Sequence, residues 1–315
     1  MPLFDRYIAV DWSAANTPRT GRDSIWIAEW SRGRPGASIN PPTRHAAMAV
    51  VTERLLAARA AGERVMLGFD FVFGYPAGAA AAISGVARAP GDTSPLAGED
   101  GRGEGRPAWS RLWSTLHDLV VDSPDNSSNR FLVAAAINAH LAAPHYWGHP
   151  HRHRYDHLAP RRPAAYGTLP ERRRAEILAR TAQPVWKLTG AGAVGSQSLL
   201  GIARLEALRR HPVLGPGIAI WPFETGFADD LARPIVVVEI YPSLFPLDDP
   251  AMTPRDRAQV ETSARRFAEL DAEGDLATFL AAPAGMSDAE RDIVLREEGW
   301  IAGVGHEQLI GRVPA

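Results

Sequence analysis

Three short apolar segments, each followed or closed by an acidic residue, constrain the fold of this 315-residue chain more than any other feature. They cover residues 7–11, which end at Asp11, residues 64–71, which contain Asp70, and residues 234–243, which contain Glu239. β-Branched and other apolar residues in an unbroken run are typical of strands buried on both faces. A helical pattern between Thr43 and Gly62 separates the first segment from the second. Strands that alternate with helices predict an α/β fold.

The rest of the chain extends this interpretation. We predict one domain over residues 1–315, with a mixed β-sheet flanked by helices, an irregular His/Arg-rich insertion at about 143–187, and a helical C-terminal part at about 250–315. Residues 83–106 are rich in Gly, Pro and Ala and are predicted to form a surface loop. Further strands are expected at 24–30 and 217–224, and further helices at 108–121 and 127–141.

Composition excludes several classes of protein. The chain has no cysteine, which rules out disulfides, thiolate zinc sites and cysteine nucleophiles. Its net charge of −2 argues against coating nucleic acid by bulk electrostatics, although a local basic patch could serve. No apolar run approaches the roughly 18 residues of a membrane span, so no membrane partner is expected. No secretory signal pattern is visible, and we expect a cytoplasmic location.

Asp11, Asp70 and Glu239 each lie at or near the carboxyl end of a predicted central strand. Ligands bind at this edge of open α/β sheets. Three carboxylates brought together repel one another unless a cation neutralises them, and Mg²⁺ or Mn²⁺ is the natural partner. The pattern therefore suggests phosphoryl transfer or phosphodiester hydrolysis. The alternative is that Asp11 caps a turn and that Glu239 pairs with an arginine.

The segments "AVDWS", "GFDFVFGYP" and "VVEIYPS", in this order, resemble the uncharacterised predicted-nuclease family of the ribonuclease H-like superfamily. The resemblance implies a sheet whose first strands are antiparallel and whose later strands are parallel. It also implies Mg²⁺- or Mn²⁺-dependent hydrolysis, with Asp11 and Asp70 as principal metal ligands and Glu239 as third ligand or base. Related nucleases place a further acid on a C-terminal helix. Of Asp288, Asp292, Glu297 and Glu298, we favour Asp292 as the fourth ligand, because it lies inside its helix.

Two other functions remain open. The same superfamily contains actin-like ATPases and sugar kinases, in which a hairpin after the first strand wraps phosphates. Ser13 and Asn16 could bind phosphate oxygens here, although the turn lacks the glycines that bring the backbone close. An ATP-dependent phosphotransferase is therefore the alternative enzyme. A non-catalytic binding or accessory protein, whose acids are structural, is the other alternative.

A glycine-rich turn and a histidine-rich segment complete the candidates. Residues 190–195 match G-x-G-x-x-G, but no clear strand precedes them and no acid follows at the usual spacing, so a dinucleotide site is not favoured. An interpretation that requires less is an anion pocket formed by Lys187, Ser196 and Gln197 at the start of the helix. The alternative is a tight turn before a packed helix. The histidines of residues 145–157 could bind a metal, form a solvated patch or, with nearby arginines, contact phosphates. Nucleic acid, nucleotide and a second copy of the chain are thus all candidate partners.

Overall fold

The computed structural model describes residues 1–86, 105–164, 167–247 and 249–311. Most of the surface loop predicted at 83–106 lies outside these residues. A six-stranded mixed sheet forms the centre of the molecule, in the order β3-β2-β1-β4-β6-β5. The strands are β1 (Arg6–Asp11), β2 (Trp26–Ser31), β3 (Arg34–Pro35), β4 (Val65–Phe69), β5 (Ile218–Ile220) and β6 (Ile235–Glu239). The predicted α/β class and mixed sheet are confirmed.

Strand directions divide the sheet into two parts. β2 pairs antiparallel with β1 and with β3, whereas β1, β4, β6 and β5 all run parallel. The parallel strands are nearly continuous apolar runs, as expected where helices cover both faces. Pro35, which cannot donate to a strand ladder, lies in the two-residue edge strand β3.

Ten helices accompany the sheet within the described residues. They are α1 (Arg44–Ala60), α2 (Ala79–Ile83), α3 (Ala108–Leu119), α4 (Arg130–His140), α5 (Arg174–Leu178), α6 (Gly195–Arg209), α7 (Arg255–Ala272), α8 (Leu276–Phe279), α9 (Asp288–Ile293) and α10 (Glu307–Ile310). A turn of π-helix, Val294–Glu298, continues α9. Thr43 caps α1, because its side chain accepts a hydrogen bond from the N–H of Ala46 at 3.1 Å. None of the described helices is long and apolar enough to cross a membrane.

Each face of the sheet has its own hydrophobic core, because successive side chains of a strand point to opposite faces. Ile8 and Val10 of β1 pack with residues of α1, α3, α4 and α6, and we call this the α6 face. Tyr7 and Ala9 pack with residues of α7, α8 and the C-terminal segment, and we call this the α7 face. The two faces carry different functional candidates.

The predicted insertion is largely irregular, as expected, but it is not a peripheral appendage. Tyr146, Leu158 and Trp186 are buried in the core of the α6 face. Its histidines separate into two groups: His145 and His149 are buried, whereas His151, His153 and His157 are exposed. Trp109 and Trp113 of α3 belong to the same core, where their rings contact edge to face.

Candidate functional site at the carboxyl edge of the sheet

Asp11 and Asp70 lie side by side where β1 and β4 end. Val10 pairs with Phe69 in the parallel register, and the N–H of Asp70 donates to the carbonyl of Val10 at 3.3 Å. The next residues along the two strands are Asp11 and Asp70, so both acids belong to the α7 face. The N–H of Trp12 donates to Oδ1 of Asp70 at 2.6 Å and fixes that carboxylate against the end of β1.

The electrostatics of this pair favour a bound cation. Burial, followed by the charge of Asp70, raises the pKa of Asp11 well above its ordinary value. Burial also raises the pKa of Asp70 to about 7, despite the hydrogen bond from Trp12. No arginine, lysine or histidine in the described part of the chain pairs with either carboxylate. Asp11 and Asp70 are half-buried, and two adjacent carboxylates shielded in this way ionise together readily only when a positive charge compensates them.

Asp256, in the first turn of α7, is the acid that sequence reasoning missed. Its charge raises the pKa of both Asp11 and Asp70. Its Oδ2 accepts a hydrogen bond from the N–H of Asp23 at 2.6 Å, and Asp23 also raises the pKa of Asp11. The sequence held a signal, because Asp256 lies near the start of the C-terminal part, about 250–315, that is predicted to be helical. Helix α7 packs across β1 and β2.

Glu239 does not join these acids, which corrects the prediction that three carboxylates converge. In the parallel register Glu239 pairs with Phe69, one residue before Asp70, and its side chain belongs to the α6 face. Only 2% of Glu239 is exposed. Arg173 donates to its two oxygens at 2.6 and 2.9 Å, and the N–H of Phe73 donates to Oε2 at 2.8 Å. The alternative prediction, an arginine pair, is confirmed.

Asp292 does not complete a metal site either. It is exposed on α9, and its Oδ1 accepts from Nε of Arg296 at 2.9 Å. Glu298 instead binds Arg174 at 2.8 Å, and Glu297 accepts from the N–H of Gly78 at 2.6 Å, so both acids are structural. Within the described ranges no group of three or more His, Asp or Glu side chains is arranged to hold a metal. The structure thus does not bring the four predicted acids together, and only Asp11 and Asp70 of that set lie side by side.

Most of the predicted substrate-binding residues meet on the α6 face, around the loop that follows β1. Gln197 of α6 donates to the carbonyl of Trp12, which ties the start of α6 to this loop. Asn16 and Ser196 both accept hydrogen bonds from Arg130, a residue that sequence reasoning did not select. The loop also contains Ser13, whose Oγ accepts from the N–H of Ala15 at 3.2 Å, within a local turn.

The glycine-rich turn before α6 is a structural turn. Gly190 and Gly192 have φ values of 91° and 69°, which favour glycine. A Cβ on Gly195 would lie 2.2 Å from the carbonyl oxygen of Val185, so close packing requires glycine there. Lys187 donates to the carbonyl of Ala191 at 2.5 Å inside this turn. These contacts confirm the tight-turn alternative for the turn itself and leave Ser196 and Gln197 at the start of α6.

Comparisons of the chain with protein-family models, with curated proteins and with solved structures find no match.

Proposed function

We propose that this protein is a divalent-metal-dependent phosphodiesterase of the ribonuclease H-like type, with Mg²⁺ or Mn²⁺ held by Asp11 and Asp70. One observation carries the proposal: two adjacent carboxylates end neighbouring parallel strands, and no described basic residue neutralises them. Carboxylate oxygens are the ligands that these hard cations prefer. The residues present therefore fit a cation bound by two protein carboxylates, with its other ligands supplied by water or substrate.

The protein residues have distinct roles in this proposal. Trp12 orients the Asp70 carboxylate through its N–H, and Asp256 adds negative potential that attracts the cation. The loop after β1 contacts the start of α6. These two segments place Asn16 and Gln197 near the carboxyl end of β1, where they would contact the substrate. When bound, the metal would lower the pKa of a coordinated water and stabilise the leaving oxygen. Glu239 has a structural role only.

Thermal unfolding with and without metal tests the cation site. Wild-type protein in millimolar MgCl₂ or MnCl₂ should melt several degrees higher than in EDTA, since a ligand at a hundredfold excess over its Kd stabilises by about 2.7 kcal/mol. Asp11→Asn should lose the shift. Asp292→Asn is the matched control, because it removes an exposed aspartate outside the site. A wild-type melting temperature that does not respond to metal would refute the cation site.

Hydrolysis of bis(p-nitrophenyl) phosphate and of labelled DNA and RNA oligonucleotides tests the activity. Asp11→Asn should lower the metal-dependent rate by about 100-fold or more, because the loss of even an outer partner of a metal ligand costs up to that amount. Asp292→Asn should retain the wild-type rate. If ATP with Mg²⁺ stabilises the protein and no phosphodiester is cleaved, the phosphotransferase alternative replaces this proposal.

A further inference from the structure

Arg130 is a buried cation, and no carboxylate in the described part of the chain forms an ion pair with it. It is the first residue of α4, and 5% of it is exposed. Nε donates to Oγ of Ser196 at 3.0 Å, while Nη1 donates to Oγ of Ser128 at 2.9 Å and to Oδ1 of Asn16. Nη2 donates to no residue in the described ranges. All three acceptors are neutral oxygens, and burying a charge without a counter-charge is costly.

The charged groups around Arg130 do not neutralise its positive charge. Burial, followed by the charge of Arg44, lowers the pKa of Arg130 to about 10. Asp122 is the nearby carboxylate, but its oxygens are shared between Arg44, at 2.6 Å, and Arg204, at 2.8 Å. The Asp122 carboxylate is thus already bound by two guanidinium groups. Positive charge therefore exceeds negative charge beneath the loop that follows β1.

Arg130 also lies at the N-terminal ends of two helices. Arg130 occupies the first position of α4, where the helix dipole disfavours a cation. Ser196, its hydrogen-bond partner, is the second residue of the 15-residue helix α6. N–H groups in the first turn of a helix have no acceptor within that helix. The guanidinium of Arg130 thus lies at the start of α4 and beside the start of α6, where the helix dipoles favour an anion.

We propose that Arg130, Asn16 and Ser128 form a phosphate-binding site, the Arg130 site, which takes a phosphate group either free or on a nucleotide. Ser196 positions Arg130, because its hydroxyl accepts from Nε and donates to the carbonyl of Leu188 at 2.8 Å. A guanidinium matches the oxygens of a phosphate group, and hydroxyl and amide side chains complete its coordination. Asn16 is exposed and Ser128 is half-buried, so the outer part of the site borders solvent. The inference goes beyond the proposed hydrolysis, because it requires neither a metal nor Asp11.

Binding is measured in EDTA, which separates this site from the cation site. Inorganic phosphate should raise the melting temperature of the wild-type protein above that in potassium chloride of equal ionic strength. Thymidine 5′-monophosphate forms a second arm: a larger shift assigns the site to nucleotides, and an equal shift assigns it to the phosphate group alone. If neither compound stabilises the protein, the inference is overturned, whereas the cation site stands or falls on its own titration.

Two variants connect the response to Arg130. Arg130→Gln should lose the phosphate shift, while Arg266→Gln, which removes another buried arginine, should keep it. Asn16→Asp places a carboxylate where Oδ1 already accepts from Arg130. This change should raise the melting temperature at pH 7 without phosphate and abolish the phosphate shift, even if Arg130→Gln does not fold. An Asn16→Asp protein that is no more stable and still responds to phosphate would overturn the inference.

Discussion

At the scale of single residues, the carboxylate of Glu239 is part of a buried ion cluster. Arg173 is fully buried and binds Glu239 at 2.6 Å and Glu176 at 2.8 Å. Burial raises the pKa of both carboxyl groups, and the Arg173 charge opposes that shift. A carboxylate held in this way has its oxygens occupied by protein donors, so its contribution is to stability.

Glu239→Gln should therefore destabilise the protein without removing the response to metal. Breaking one side of a buried ion pair costs about 3 kcal/mol. Urea unfolding at pH 7 should show that loss, and MgCl₂ should raise the melting temperature of the variant as much as that of the wild type. Glu53→Gln, on the exposed side of α1, is the control. Loss of the metal shift in Glu239→Gln, with little change in stability, would return Glu239 to the list of ligands.

Asp70→Asn has a distinctive effect on the pH dependence of stability. The pKa of Asp70 rises from 3.8 to about 7 in the folded protein. The unfolded chain therefore loses its proton first, and the free energy of unfolding decreases as pH rises from about 4 to about 7. In EDTA at pH 8, Asp70→Asn should be more stable than the wild type, and at pH 4 the difference should vanish. A variant less stable than the wild type at pH 8 would contradict this sign.

At the scale of elements, the limit of sequence reasoning is strand register. The apolar runs of β1, β4 and β6 were sufficient to predict the strands and the sheet edge at which their acids lie. Whether Glu239 pairs with Phe69 or with Asp70 is decided by hydrogen bonds between strands that are far apart in sequence. A register shift of one residue would move the Glu239 side chain to the other face of the sheet. Asp256 and Arg130 were also missed because contacts between distant segments bring them to the site, in their case through helix packing.

The turn after β4 and the π-helical turn Val294–Glu298 form one packed unit. The N–H of Tyr75 donates to the carbonyl of Glu297 at 3.2 Å. A Cβ on Gly74 would lie 2.1 Å from the carbonyl oxygen of Glu298. Only glycine allows this approach of two backbones.

Gly74→Ala should consequently force the two turns apart and lower the free energy of unfolding by about 3 kcal/mol. Urea unfolding followed by circular dichroism measures the change. Gly36→Ala is the control, because its Cβ would meet Glu29 at an ordinary contact distance of 3.5 Å. Equal stabilities of the two variants would show that the turns separate without cost.

At the scale of the whole molecule, the two faces of the sheet present opposite charges at one edge. Asp11 and Asp70 lie on the α7 face, with Asp256 nearby. The Arg130 site lies on the α6 face, under the loop that leaves Asp11. This loop connects β1 to β2 and passes between the acidic and the basic regions. A phosphate held at Arg130 and a cation held at Asp11 would attract each other across it, so binding of each should strengthen binding of the other.

The position of α7, and with it Asp256, depends on a contact between distant parts of the chain. Asp271, near the end of α7, accepts hydrogen bonds from the N–H groups of Leu3 and Phe4 at 2.8 and 2.9 Å. Its Oδ2 also accepts from the hydroxyl of Tyr7 at 2.6 Å. Only 3% of Asp271 is exposed, so water cannot readily take the place of its carboxylate as the acceptor for these donors.

Asp271→Ala should therefore lower the free energy of unfolding by about 3 kcal/mol, because buried donors that lose a charged acceptor remain unsatisfied. Glu273→Ala, two residues further along the chain and exposed, should change it by less than about 0.5 kcal/mol. Urea unfolding compares the two, and limited proteolysis should cut the N-terminal segment faster in Asp271→Ala only. Because α7 carries Asp256, the same variant should also show a smaller stabilisation by MgCl₂. Equal stability and equal proteolysis of the two variants would mean that packing alone holds α7 on the sheet.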